Sequence, residues 1–148
     1  MALEKAMWAH GHGMAVEVPG NLKSEWRAGF FIRVVGKPGT TNWFHFAIPT
    51  AVIVDGNRLR IDSALLRYRC GSSSADITNL HVFDGENRVF AADNLNLSPT
   101  ALTVTRWVLP NKPEVFWGVG VTVGVRFNGA TDAANTMEFA SAGVDFLP

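Results

Sequence analysis

The chain has 148 residues, 47% of them hydrophobic, and carries 13 basic and 13 acidic side chains, so its formal net charge is zero. That balance excludes a nucleic-acid partner of the ordinary kind, whose affinity comes from neutralising phosphates with a basic face, and no apolar run is long enough to make a membrane partner. The lone cysteine, Cys70, excludes an intrachain disulfide.

This length suits one domain, residues 1 to 148, with its own core. Only 18% of the residues are charged, and with zero net charge this points to self-association through an apolar interface. The opening "MALEKAMWAHGHG" places Glu4, Lys5 and two histidines where the apolar run of a secretory leader would lie, so a cytoplasmic location is expected.

From end to end the pattern alternates with a period of two, and no long window shows helical spacing. The first predicted strands run over 4 to 10, 14 to 18, 27 to 35, 43 to 48 and 51 to 55. The others run over 58 to 69, 77 to 83, 87 to 91, 101 to 109, 115 to 127 and 136 to 146. Turn formers punctuate them, among them Pro19-Gly20-Asn21, Gly36-Lys37-Pro38-Gly39, Asp55-Gly56-Asn57 and Asp84-Gly85-Glu86-Asn87. "VIVDGNRLRI" and "LHVFDGENRVF" read as hairpins whose Asp-Gly supplies a positive φ. In "NRLRIDSALLRYR" the apolar face switches midway, which predicts a bulge near Ser63 or Ala64.

The segment "VFWGVGVTVGVRF" sets Val115, Trp117, Val119, Val121, Val123, Val125 and Phe127 on one face, opposite Gly118, Gly120, Thr122 and Gly124. Such a glycine row marks a strand that curves strongly or that another group approaches closely. Packing of Phe116, Trp107 or Phe139 over the glycines is the first account, and a flat groove open to a ligand is the second. Many short strands without helices imply an antiparallel two-sheet β-sandwich, jelly-roll-like, with a closed barrel as the alternative.

In "WAHGHGMAVEVPG", residues two apart share a strand face, so His10 and His12 can reach one transition metal and Glu17 can add an oxygen after the turn. This spacing resembles the first metal motif of the cupin family, which implies a metal-dependent enzyme. The chain departs from that motif at Glu4 and Ser24, where the family has glycine, and lacks the second motif's proline-glycine element before His45 or His81. A polar hairpin loop with surface histidines is the simpler account. His45 and His81 each share a face with an aromatic residue, Trp43 and Phe83, and read as hydrogen-bonded residues at the core edge.

A calcium site built from Asp84, Glu86, Asn87 and Asp93 competes with a plain tight hairpin. No Gly-x-Ser-x-Gly elbow or phosphate-binding glycine loop is present, so the reading leans away from an enzyme, and no cofactor is expected unless a transition metal or calcium binds. Of five tryptophans, Trp26 among charges and Trp43 after a polar loop are the ligand-binding candidates, because an exposed indole stacks on sugar rings or anchors a protein partner. Trp107 and Trp117 are assigned to the core.

The segments "KAMWAHG" (5 to 11) and "MEFASAGVDF" (137 to 146) resemble a set of small uncharacterised bacterial β-sandwich proteins. That resemblance implies a fold and a bacterial origin, and transfers no activity. The first functional reading is a non-enzymatic binding or structural module acting as a homo-oligomer. The alternatives are a carbohydrate-binding sandwich using exposed tryptophans, and a cupin-like enzyme using His10, His12 and Glu17.

Overall fold

The computed structural model describes residues 2–148 as strands joined by turns, with no α-helix among them. The chain runs through β1 (Lys5–His10), β2 (Ala15–Val16), β3 (Leu22–Ala28), β4 (Phe31–Gly36) and β5 (Thr40–Ile48). Next come β6 (Ile53–Val54), β7 (Asn57–Arg58), β8 (Arg60–Cys70) and β9 (Ala75–Asp84). The remainder is β10 (Asn87–Ala92), β11 (Thr103–Val108), β12 (Val119–Phe127) and β13 (Thr136–Leu147).

Two antiparallel sheets face each other as a jelly-roll-like sandwich that does not close into a barrel. One has the order β11-β8-β13-β4-β3, with β1 also paired to β13, and the other the order β10-β9-β12-β5-β2. β6 and β7 form a separate hairpin, and its Asp55 and Gly56 have φ of 50° and 79°, the positive pair a tight two-residue turn requires. No helix among the described residues is long and apolar enough to cross a membrane.

The core is the sum of the inward-facing alternate residues of both sheets. Its centre is aromatic: Phe139 of β13 lies between Phe44 and Phe46 of β5, with ring centroids 5.2 and 5.7 Å away. Truncating a buried aromatic of this kind costs about 3–5 kcal/mol. On β8 the apolar face does switch, because Ser63 pairs with Asp145 and Ile61 with Phe146, which leaves Asp62 as the bulged residue next to the predicted place.

Two sequence expectations are corrected. The predicted strand 27 to 35 is a hairpin, β3 and β4, turning at Gly29 and Phe30. β3 went unread over 22 to 26 because it is an edge strand exposed along nearly its whole length and so carries no apolar alternation. The predicted strand 115 to 127 begins only at Val119, since Gly118 has φ +131° and breaks the pleat. Trp117 is therefore thrown outward and is 72% exposed, while Trp107 packs half-buried against the core.

Asp62 ties β8 to β11 and to the loop after it: Arg106 Nη2 of β11 lies 2.7 Å and Lys112 Nζ of the loop 2.8 Å from its carboxylate. The Lys112 hydrogen bond, joined by Arg106, holds the Asp62 carboxyl below the usual carboxylate range. The unfolded chain therefore binds the proton more readily, and this contribution is full above about pH 4 and is lost as pH falls through the folded value. Asp62→Asn is expected to be less stable than the wild type near neutrality, with the difference vanishing on acidification in urea titrations at several pH values. Burial pushes the Cys70 thiol up to about 12. At about pH 8, near the ordinary thiol range, Cys70 is expected to resist a thiol reagent in the folded chain and to react on denaturation.

Candidate functional site

Burying Phe44 and Phe46 turns Trp43, His45 and Ala47 of β5 to the outer face of their sheet. On β12 the buried valines do the same for Gly120, Thr122 and Gly124, and on β9 Leu80 and Val82 leave Asn79, His81 and Phe83 outside. The strand register aligns these residues in rungs: Ala47, Gly120 and Phe83; His45, Thr122 and His81; Trp43, Gly124 and Asn79. The middle strand offers only small side chains, so two walls rise over a low floor. They enclose a groove of about 460 Å³, within the range of small-ligand sites.

The glycines do different work. A Cβ at Gly120 would meet nothing nearer than the Phe46 carbonyl oxygen at 3.9 Å, so the floor there is bare main chain. At Gly124 a Cβ would stand 3.1 Å from Trp43 Cζ3 and 2.9 Å from the Asn79 amide oxygen. Trp43 uses that space to lean across the strand and set its ring 5.1 Å from that of His81.

Polar groups line the walls in pairs. His45 Nε2–H donates to Glu17 Oε1 at 3.0 Å, which in the neutral imidazole leaves Nδ1 to accept the Thr122 hydroxyl. His81 Nε2–H donates to Asp93 Oδ1 at 2.8 Å, and the Asn79 amide donates to the same oxygen at 2.7 Å. These bonds, His81 first and Asn79 second, lower the Asp93 carboxyl below its ordinary value. The lining is largely apolar and contains no lysine or arginine. Such a surface can stack a flat apolar face and exchange hydrogen bonds with neutral hydroxyls or amides.

The sequence candidates divide. Trp43 and Glu17 belong to the groove. Trp26 lies on β3 of the opposite sheet, 53% exposed, with the Arg33 guanidinium 5.0 Å above its ring, so it forms no joint site with Trp43. His10 and His12 meet edge-on at 4.3 Å; His10 Nδ1 accepts the His12 backbone N–H, and His12 Nε2 bonds the Ala28 carbonyl. Glu17 pairs with His45 instead, and no group of three His, Cys, Asp or Glu side chains among the described residues is placed to hold a metal. Of the calcium set, Asp84 turns inward to accept three backbone N–H groups and Asp93 is bound to His81.

Sequence reasoning placed His45 and His81 singly at the core edge and preferred Phe116, Trp107 or Phe139 over the glycines. The ring over Gly124 is Trp43, and the two histidines flank Thr122 in one rung. The available signal was the glycine row itself, read together with the outward residues of 43 to 47 and 79 to 83.

A family model described as "Family of unknown function (DUF6623)" matches residues 2–147. No curated protein matches the chain. Among solved structures, a low-affinity xylan-binding module, CBM86, from Roseburia intestinalis is similar with TM-score 0.56 and 10% identity, covering 97% of each chain. A CBM27-1 module from Caldicellulosiruptor saccharolyticus, solved with mannohexaose, has TM-score 0.52 and 7% identity over 95% of this chain and 97% of its own. A CBM4 structure has TM-score 0.51 and 12% identity over 90% of this chain and 86% of its own. At these identities the likeness is one of fold.

The packing of Trp43 on His81 is expected to depend on Gly124 and not on Gly120. In NMR spectra the His81 ring protons should shift in Gly124→Val, as the added side chain displaces the indole, and stay in place in Gly120→Ala.

Proposed function

The chain belongs to the DUF6623 family of unknown function, and we propose that it binds a neutral glycan in the groove over β12 without cutting it. The observation that carries this reading is the glycine floor between two walls, each with an aromatic ring, Trp43 or Phe83, and a histidine–carboxylate pair. A pyranose ring has an apolar C–H face, which suits Trp43 and Phe83, and a rim of hydroxyls, which suits Glu17, His45, Thr122 and Asn79. The absence of lysine and arginine from the lining favours uncharged sugars over uronic or sulfated ones.

The fold likeness supports the same class, since the xylan-binding module and the mannohexaose-bound module share this sandwich. That likeness is remote, and the weight of the proposal rests on the groove. Trp26, covered by Arg33 on the other sheet, lies outside the proposed site. A polysaccharide ligand also fits an extracellular setting better than the cytoplasmic one expected from the sequence. The self-association expected from the neutral charge is a separate property, read by sedimentation.

Native-gel affinity electrophoresis with xylan, galactomannan, β-1,4-galactan and mixed-linkage β-glucan tests the proposal. At least one polysaccharide should retard the wild type. Trp43→Ala should weaken that binding by about tenfold or more, the loss typical of a stacked aromatic anchor, while Trp26→Ala leaves it unchanged. Failure of every polysaccharide to retard the wild type, or equal loss in both variants, would overturn it.

A further inference from the structure

The groove's lining ends at Gly120, and the chain that forms its floor leads there from an exposed segment. Beyond it β12 gives way to the segment 115 to 118, where Trp117 follows Phe116 into solvent. This segment is held rigidly, because the buried Asp84 carboxylate accepts the backbone N–H groups of Phe116, Trp117 and Gly118 at 2.9, 2.8 and 3.0 Å. Asp84 pairs with Val119 in the rung next to Phe83 and Gly120, so the clamp is built onto the end of the groove wall. Trp117 stands three positions before Gly120, which limits their Cα separation to about 11 Å.

The other exposed large aromatic side chains each have a neighbour against one face. Trp26 has Arg33, Phe30 has Phe31 and Arg69, Phe116 has the Arg58 guanidinium at 4.2 Å, and Trp8 lies across Gly143. Trp117 stacks on no ring or cation among the described residues, and although it rests on Gly85 it is 72% exposed, the most of any of these aromatics. A rigid backbone that displays an uncovered indole is arranged for a partner, since little ordering entropy remains to be lost on binding.

At the opposite end, past Trp43, the surface dips again. A second depression of about 150 Å³ is lined by Thr41, Asn79 and Gly124 among others. Two residues further along β12, Arg126 pairs with Asp76 in an ion pair of 2.8 Å. Depression, Trp43 and main groove thus follow one another along β12, and Trp117 lies on the segment that leads into its groove end.

We propose that Trp117 is an outlying sugar subsite, so that the ligand is an internal stretch of a linear polysaccharide lying along β12 and not a monosaccharide or a short chain end. The inference rests on the glycan reading of the groove. It is tested by titration calorimetry with the tri- and hexasaccharide of whichever of the four polysaccharides retards the protein.

The hexasaccharide should bind about tenfold more tightly than the trisaccharide. Trp117→Ala should remove most of that gain, a loss of about fivefold, while weakening the trisaccharide far less; Trp117→Phe should restore it. Equal affinity for the two lengths, or a hexasaccharide affinity untouched by Trp117→Ala while Trp43→Ala weakens both lengths, overturns the extended subsite and leaves the groove reading in place. Absence of binding to all four polysaccharides removes both.

Discussion

The strand pleat, locked by Phe139 between Phe44 and Phe46, is the constraint on which the candidate site depends. A strand can bury only one of its two faces, so fixing the phenylalanines of β5 inward fixes Trp43, His45 and Ala47 outward. β12 obeys the same rule more severely, because its valines fill the core and leave glycine and threonine on the other side. A slip of one residue in β5 would bury His45 and expose Phe44 and Phe46, and one in β12 would turn its valines out to the groove. Fold stability and groove geometry are thus consequences of one choice of register.

The two outer faces treat charge differently. Opposite the groove, Glu138 is buried between Arg33 and Arg69 at 3.0 and 2.6 Å, and Arg33 also covers Trp26. There the arginines serve both the buried carboxylate and the indole of Trp26. On the groove face the histidine–carboxylate pairs hold their side chains in place, yet Glu17 is bonded through only one oxygen and remains partly exposed. No buried side-chain nitrogen or oxygen among the described residues lacks a partner, so the polar capacity left over is at the surface, the second oxygen of Glu17 included.

Much of the fold was legible because period-two alternation survives wherever one strand face is buried. The failures follow from the same physics. β3 is exposed on both sides and carries no alternation, and Gly118 interrupts a run of valines whose pattern continues in sequence although the strand does not. The site was legible only in fragments. Trp43 and the glycine row could be singled out, but the rung joining His45, Thr122 and His81 depends on the register of β5, β12 and β9, which a linear reading does not contain. Glu17 was noticed for its distance from His10 and His12, whereas the pairing of β2 with β5 delivers it to His45.

A floor made of main chain has an evolutionary consequence. At Gly120 and Gly124 the side chain is already the smallest available, so mutation there can raise the floor but never lower it. Depth is a resource that variants of this sheet can only give up. New preferences must therefore come from the walls, at positions such as Ala47, His45 and Phe83, where side chains can grow, shrink or change their hydrogen-bonding groups while the bed beneath keeps its shape.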